Sequence, residues 1–255
     1  MKVILRAKSL DIITAGGKRL LKDVDLEVKE GEFLLLGGRP GSGKTLLCKA
    51  LKGLLDEELR EDGKGAGLRT TGSVERNGRI GMVFQNPTRA IMRENVKRDV
   101  AFGLKNAGIP RGEIIKRIDK YSGLLGTDSL LDRKVSELSL GELTKVSLLG
   151  TLVLEPELVI LDEPLSGLDY KSQKLLLDSL DRLHEGSKSL IVVEGDLREL
   201  FHRADRGLLL KNGEVLAEGK PEELGPLFYR EGAKLPLEEE LCIQLGDKYE
   251  SSRGG

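Results

Sequence analysis

The segment Gly38-Arg39-Pro40-Gly41-Ser42-Gly43-Lys44-Thr45 constrains this chain more than any other. Two glycines enclose four residues, and Lys and Thr follow the second at once. Glycine has no Cβ, so consecutive backbone N–H groups can turn inward and form an anion-binding nest. Lys44 can reach phosphate oxygens as a point charge, and it is expected to be solvent-accessible without ligand. Thr45 offers a hydroxyl to a hard cation such as Mg2+. Glu32 to Leu36 reads as a buried strand, and Leu46 to Leu54 as a helix. A helix starting at such a loop points its positive end at the anion. An ordinary glycine turn is the alternative, and it requires neither the strand nor the helix. The fold class expected is α/β, built on a strand–loop–helix that binds nucleotide.

The chain has 255 residues, enough for one large domain or two small ones. Charged residues reach 33%, yet the net charge is −1, so no global field points to nucleic acid. Aromatic residues are 4% and Trp is absent, which leaves few rings for stacking single strands. Cys48 and Cys242 suit a reducing compartment and supply no disulfide framework. No apolar run approaches the roughly 20 residues that span a bilayer. The start, Met1 to Arg6, lacks the apolar core of a signal peptide. The expected setting is the cytoplasm, with any membrane role carried through a partner.

Apolar alternation predicts strands over Val3 to Ile13 and Val24 to Val28. Asp56 to Gly67 is polar and glycine-rich and reads as a surface loop. Short strands follow at Ser73 to Glu75 and Ile80 to Phe84. The second delivers Gln85-Asn86-Pro87, a polar amide after a buried strand, which is either a site residue or a strand terminator. From Asn95 to Leu131 the pattern is helical, with Ile114, Ile115, Ile118, Tyr121 and Leu125 near one face. Residues 88–145 are expected to form a helical subdomain inserted in an α/β core.

Ser139 and Glu142 are spaced as a capping box before an apolar helix through Leu154. The same helix end is an anion site, able to touch phosphate presented by another subunit. Leu158 to Asp162 is an apolar run that reads as a central parallel strand. It ends in Asp162 and Glu163, where α/β sheets bind ligands. Asp162 can hold Mg2+ through water, and Glu163 can activate an attacking water. A helix is expected over Lys171 to Leu183, a strand over Ser189 to Val193, and a hairpin around Asn212-Gly213. From Pro221 the chain is acidic and helical, and Ser251 to Gly255 reads as a frayed tail. Leu235, Leu237, Leu241 and Ile243 supply apolar positions there, for a dimer contact or for a self-packed helix.

In order and spacing, this set of motifs resembles the ATP-binding cassette (ABC) family of ATPases. Gly38 to Thr45 matches its Walker A motif, Gln85 its Q-loop and Leu138 to Glu142 its signature. Leu158 to Asp162 matches Walker B, with Glu163 next, and Ser166-Gly167-Leu168-Asp169 the D-loop. Val83 to Pro87 and Asp99 to Asn106 look like the ATPases of energy-coupling factor (ECF) importers of vitamins and metal ions. The resemblance implies a P-loop core with an antiparallel β-subdomain and the helical insertion over residues 1–219, and a helical extension over 220–255. It implies ATP and Mg2+ as cofactors, with Thr45, Gln85 and Asp162 toward the metal and Glu163 as base. It also implies a head-to-tail dimer, in which Ser139, Gly141 and Glu142 face the partner's ATP. The partner is a second ABC ATPase subunit, different or identical, and both serve integral membrane subunits. The chain would then sit on the inner face of the membrane through those subunits, without binding nucleic acid.

Three departures qualify the match. The switch histidine of the family is absent, and Gly195 falls at its place. Leu140 and Glu142 stand where Gly and Gln are usual. No aromatic is available to stack on adenine, and Ile12 or Ile13 falls near that position. Gly195 also admits a reading of another kind, a subunit that closes a dimer on ATP but hardly hydrolyses it. A transporter outside the ECF group, or a soluble assembly system, is the remaining alternative.

Overall fold

The computed structural model describes residues 2–55 and 67–251, with side chains as far as 245. The first strands, β1 (Val3–Thr14) and β2 (Arg19–Lys29), are joined by a tight turn in which Gly17 N donates to Thr14 O. β3 (Phe33–Gly37) is buried at all five positions and leads into α1 (Lys44–Lys52). β4 (Leu68–Arg76) and β5 (Ile80–Val83) follow. Next come α2 (Val96–Asn106), α3 (Arg111–Leu125) and α4 (Leu140–Leu152). β6 (Leu158–Asp162), α5 (Tyr170–Glu185) and β7 (Ser189–Val193) continue the alternation. β8 (Arg206–Lys211), β9 (Glu214–Gly219), α6 (Pro221–Arg230) and α7 (Leu237–Ser251) close it. Strand order is β2-β1-β4 in one sheet and β5-β6-β7-β3-β8-β9 in the other.

The chain divides into two compact units. The first holds Met1–Ile4, Lys29–Gly31 and Arg76–Leu190. In it β5 pairs parallel with β6, from Ile80↔Leu158 to Val83↔Leu161. A parallel pair buried on both faces needs unbroken apolar runs, and β6 is buried throughout. α2 begins at Asn95, whose side chain accepts from Arg98 N at 3.2 Å. In α3, Ile114, Ile118, Tyr121 and Leu125 are buried at helical spacing. Ile115, expected on the same face, is 46% exposed. One residue is a 100° step around a helix, so neighbours cannot both point at the core. α4 carries the helical stretch past residue 145.

The second unit holds Leu5–Val28, Glu32–Glu75 and Ile191–Gly255. In it β3 pairs parallel with β8, from Leu34↔Arg206 to Gly37↔Leu209, and β8 pairs antiparallel with β9. The hairpin turns at Asn212-Gly213, both with positive φ, as the Asn-Gly pair predicts. The strand expected to begin at Ser73 is longer, since β4 starts at Leu68. Of the C-terminal apolar positions, Leu235 is buried, while Leu237 and Leu241 are exposed. The expected surface loop over 56–67 lies, apart from Gly67, outside the described residues, as does the tail beyond Ser251.

Candidate functional site

In the second unit, β3 ends at Gly37 and the chain enters the glycine loop. Gly38, Gly41 and Gly43 all have positive φ, at 145°, 81° and 107°. A Cβ at Gly38 would collide with the Leu210 carbonyl, and one at Gly43 would lie 2.9 Å from Leu21. The loop is braced from β8–β9, where Gly213 N donates to Ser42 O at 2.9 Å. Gly43 is also the N-cap of α1, with no side-chain cap. The helix therefore starts at Lys44, two residues before its predicted start at Leu46, because left-handed Gly43 supplies the turn. Thr45 is exposed in its first turn.

Lys44 departs from expectation. It is buried, 6% exposed, and its Nζ donates to Gly38 O at 2.7 Å and Arg39 O at 3.2 Å. A buried ammonium must find acceptors, and the loop's own carbonyls supply them. Ser42 Oγ is buried with no hydrogen-bond partner. An orphaned hydroxyl costs about 1–3 kcal/mol, which an anion in the nest would recover. The cradle thus fits phosphate by its geometry and by what it leaves unsatisfied. Pro40 and Arg39 line the loop's exposed side.

Ile12 needs correction as an adenine contact. It is fully buried, at 0% exposure, whereas Ile13 keeps partial exposure. Strand residues alternate faces, so Ile13 is the one of the pair with surface to offer. In the same unit β7 leads to Glu194, which is buried, and Gly195, which is exposed. A Cβ at Gly195 would meet nothing within 4 Å, so a side chain has room there. Asp196 next to it is held below the usual carboxylate range by hydrogen bonds from Arg198.

In the first unit, β6 brings Asp162 and Glu163 to its end. Asp162 is 2% exposed. Glu163 has φ 49°, a left-handed backbone that costs a side-chain-bearing residue about 1–3 kcal/mol. Gln85 Nε2 donates to Glu163 Oε2 at 2.7 Å, so the structure joins two residues that are 78 apart in sequence. The next amide, Asn86, caps the 3-10 turn Pro87–Ala90 and accepts from Thr88 N at 3.1 Å. Gln85 is free of that capping duty.

The segment after β6 is pinned by Gln173, whose Nε2 donates to Leu165 O and Leu168 O. Asp169 caps α5, accepting from Ser172 N at 3.0 Å and from Ser172 Oγ at 2.8 Å. These bonds, backbone first, hold the Asp169 carboxyl below its ordinary value. At α4 both halves of the capping box form: Glu142 Oε2 accepts from Ser139 N at 2.8 Å, and Ser139 Oγ accepts from Glu142 N at 3.3 Å. Glu142 Oε1 takes Arg133 Nη1 at 2.9 Å. Both Glu142 oxygens are occupied and the charge is matched. Nothing in the sequence marked Arg133, because the pairing depends on how the preceding loop folds. Gly141 is held for a steric reason: a Cβ would lie 2.6 Å from Ser172 Oγ. Gly141 and Asp169 thus meet at the same Ser172.

Residues 21–166 match the ABC transporter family model, more than half of the chain, and the chain belongs to that family. It is an ATP-binding protein of the ABC class. An "Energy-coupling factor transporter ATP-binding protein EcfA1" of Bacillus subtilis is 38% identical over 236 residues, 89% of this chain and 83% of that protein. An EcfA2 protein of Clostridium tetani is 33% identical, covering 81% and 74%. Among solved structures, cbiO1 from Clostridium perfringens, described as part of the ABC transporter complex cbiONQ, superposes with a TM-score of 0.76. It is 27% identical and covers 91% of this chain and 93% of that one. Among the described residues, no helix is long and apolar enough to cross a membrane.

Proposed function

We propose that this chain is the ATP-hydrolysing subunit of an ECF-type importer, working in a head-to-tail dimer on the inner face of a membrane. The observation that carries hydrolysis is the Gln85–Glu163 hydrogen bond at the end of buried β6. The likeness to EcfA1, EcfA2 and cbiO1 supports the importer reading. Residues 1–219 would be the ATPase domain and 220–255 its extension.

In this reading the loop N–H groups and Lys44 bind the phosphates, with Lys44 exchanging Gly38 O and Arg39 O for phosphate oxygens. Gln85 orients the Glu163 carboxylate, and Glu163 takes a proton from water at its Oε atoms. Thr45, Asp162 and Gln85 offer hard oxygen donors, which suits Mg2+. Among the described residues there is no cluster of three acids, histidines or cysteines that could hold a metal. Mg2+ would neutralise charge on the phosphates. Ser139 and Gly141 would complete the site of the partner.

Gly195 favours a division of labour. A histidine there could donate to the γ-phosphate, whereas glycine offers backbone alone, and losing one such donor costs about 10²–10³ in rate. The chain would bind ATP, hydrolyse it slowly at its own loop, and serve a different ABC subunit that keeps its histidine. The test assays the chain alone and with the second ATPase encoded for the same transporter, using Glu163→Gln as the blank. Slow turnover alone, raised by Gly195→His and by the partner, is the expected result. Fast cooperative hydrolysis by the chain alone, unaltered in Gly195→His, refutes the division. A chain that binds ATP but stays inactive even with the partner and even as Gly195→His is instead the nucleotide-gated subunit.

A further inference from the structure

Arg39 is the second residue of the glycine loop, yet its guanidinium caps the end of α6. Nε donates to Glu231 O at 3.1 Å and Nη2 to Arg230 O at 3.0 Å. Glu231 follows α6 as its C-cap, and its side chain is 13% exposed. One carboxylate oxygen lies 3.5 Å from Arg39 Nε, and the other takes Lys211 Nζ at 2.7 Å. Lys211 is the last residue of β8, next to the Leu210 carbonyl over which Gly38 passes. An acid at a helix C-terminus has the wrong sign for the helix dipole. Its presence there needs the two cations, and the Lys211 hydrogen bond, then the Arg39 charge, hold the carboxyl below its ordinary value.

We propose that Glu231 is a positioning residue for nucleotide: through Arg39 it ties the glycine loop to the end of α6 and keeps the loop in its binding conformation. The inference rests on the reading that the loop binds ATP. Its physical ground is the loop's own freedom. Gly38, Gly41 and Gly43 all occupy left-handed backbone, and glycines lose more freedom on ordering than other residues. Such a loop needs ties from outside. Gly213 supplies one at Ser42, and the Arg39–Glu231 contact supplies one at the other end. A loop ordered in advance binds without that entropic cost. Linkage then requires that nucleotide strengthen the tie in return. The acidic C-terminal extension would in this way report on the nucleotide site.

The opposite arrangement would make Arg39 a phosphate ligand that Glu231 holds back. The two are separated by Glu231→Ala. Calorimetry with Mg-ADP on the full chain should show binding weakened about two- to fivefold by Glu231→Ala, the size of a part-exposed ion pair, and at least as much by Arg39→Ala, which also loses the bonds to the Glu231 and Arg230 carbonyls. The double variant should be no weaker than Arg39→Ala, because Glu231 acts on the loop through Arg39 alone. In the wild type, Mg-ADP should slow amide exchange at 229–233, and in Arg39→Ala it should not. A merely structural contact would not give that difference. If Glu231→Ala melts early, Glu231→Gln, equal in size, takes its place. Equal or tighter binding by the Glu231 variant, additive losses, or exchange at 229–233 indifferent to Mg-ADP would overturn the tie alone. Absence of Mg-ADP binding by the wild type would overturn the nucleotide reading and the tie with it.

Discussion

Two helix N-termini in this chain are proposed to meet phosphate, and they are built in opposite ways. α1 starts at Gly43 without any side-chain cap, and beside it Ser42 Oγ is buried and unpartnered. α4 starts at Ser139 with a complete capping box, and its acid is matched by Arg133. The first end leaves the Ser42 hydroxyl for a ligand, at a cost in the free protein. The second already satisfies the Ser139 and Glu142 N–H groups within its own capping box, and of Ser139 and Gly141 only Ser139 is exposed. An open terminus makes a binding site by itself. A closed terminus is stable by itself and makes half of a site. The difference agrees with a loop that holds nucleotide and a signature that meets nucleotide held elsewhere.

The open end should be the more sensitive to a single side chain. Lys44→Ala removes the cation that would turn from Gly38 O and Arg39 O to phosphate oxygens. A charge-assisted contact is worth about 1.5–3 kcal/mol, so ATP affinity should fall roughly ten- to hundredfold. Because Lys44 is buried, the free variant should also lose some thermal stability. Titration calorimetry and a melting curve read the two effects. Unchanged affinity would remove Lys44 from the site and break the contrast between the termini.

At the closed end the most sensitive position should be steric. Gly141→Ala would press a methyl onto the Ser172 side chain, 2.6–2.7 Å away, and displace the start of α4 or of α5. We expect about a tenfold loss of turnover in the assembled transporter ATPase, of the order seen for misplaced catalytic groups. ATP binding by the isolated chain should not change. Ser172→Gly in the same chain should restore much of the rate by removing the obstacle. Failure of that rescue would mean that Gly141 is required by the ligand rather than by Ser172.

How much of this was legible in the sequence differs between the same two places. The glycine loop was readable in detail, because its spacing and φ requirements are local. The capping box was readable too, since Ser139 and Glu142 lie within one turn. Partners distant in sequence were not readable: Arg133 on Glu142, Ser172 under Gly141, and Glu231 on Arg39. The error over Lys44 has the same origin, since its burial comes from the loop closing on itself. Ile12 and Ile13 both fall near the adenine position in the sequence, and the alternation of β1 buries Ile12 and leaves Ile13 partly exposed. Ile115 was miscounted into the core face of α3 because apolar neighbours look alike until one is turned outward.

The smallest effect expected is at Glu142, and it separates capping from ligand binding. The carboxyl is held below its ordinary value of 4.5, first by the Ser139 N–H and next by the Ser139 hydroxyl and Arg133. The folded value is therefore below the unfolded one. Its contribution to stability is complete at pH above the unfolded value and is lost as pH falls through the folded value. The wild type should lose this increment only in acid, below about pH 4.5. Glu142→Gln keeps an acceptor for the Ser139 N–H but leaves Arg133 without its charge partner. At neutral pH it should cost under about 1 kcal/mol, the range of exposed ion pairs and caps. Below the carboxylate range the variant and the wild type should converge, because both are then neutral at this position. Turnover in the assembled ATPase should change less than threefold or so, since both Glu142 oxygens are turned to the chain itself. Chemical denaturation across pH, beside turnover, tests both halves. A variant that loses turnover without losing stability would show that Glu142 faces the ligand, and that the closed terminus is open after all.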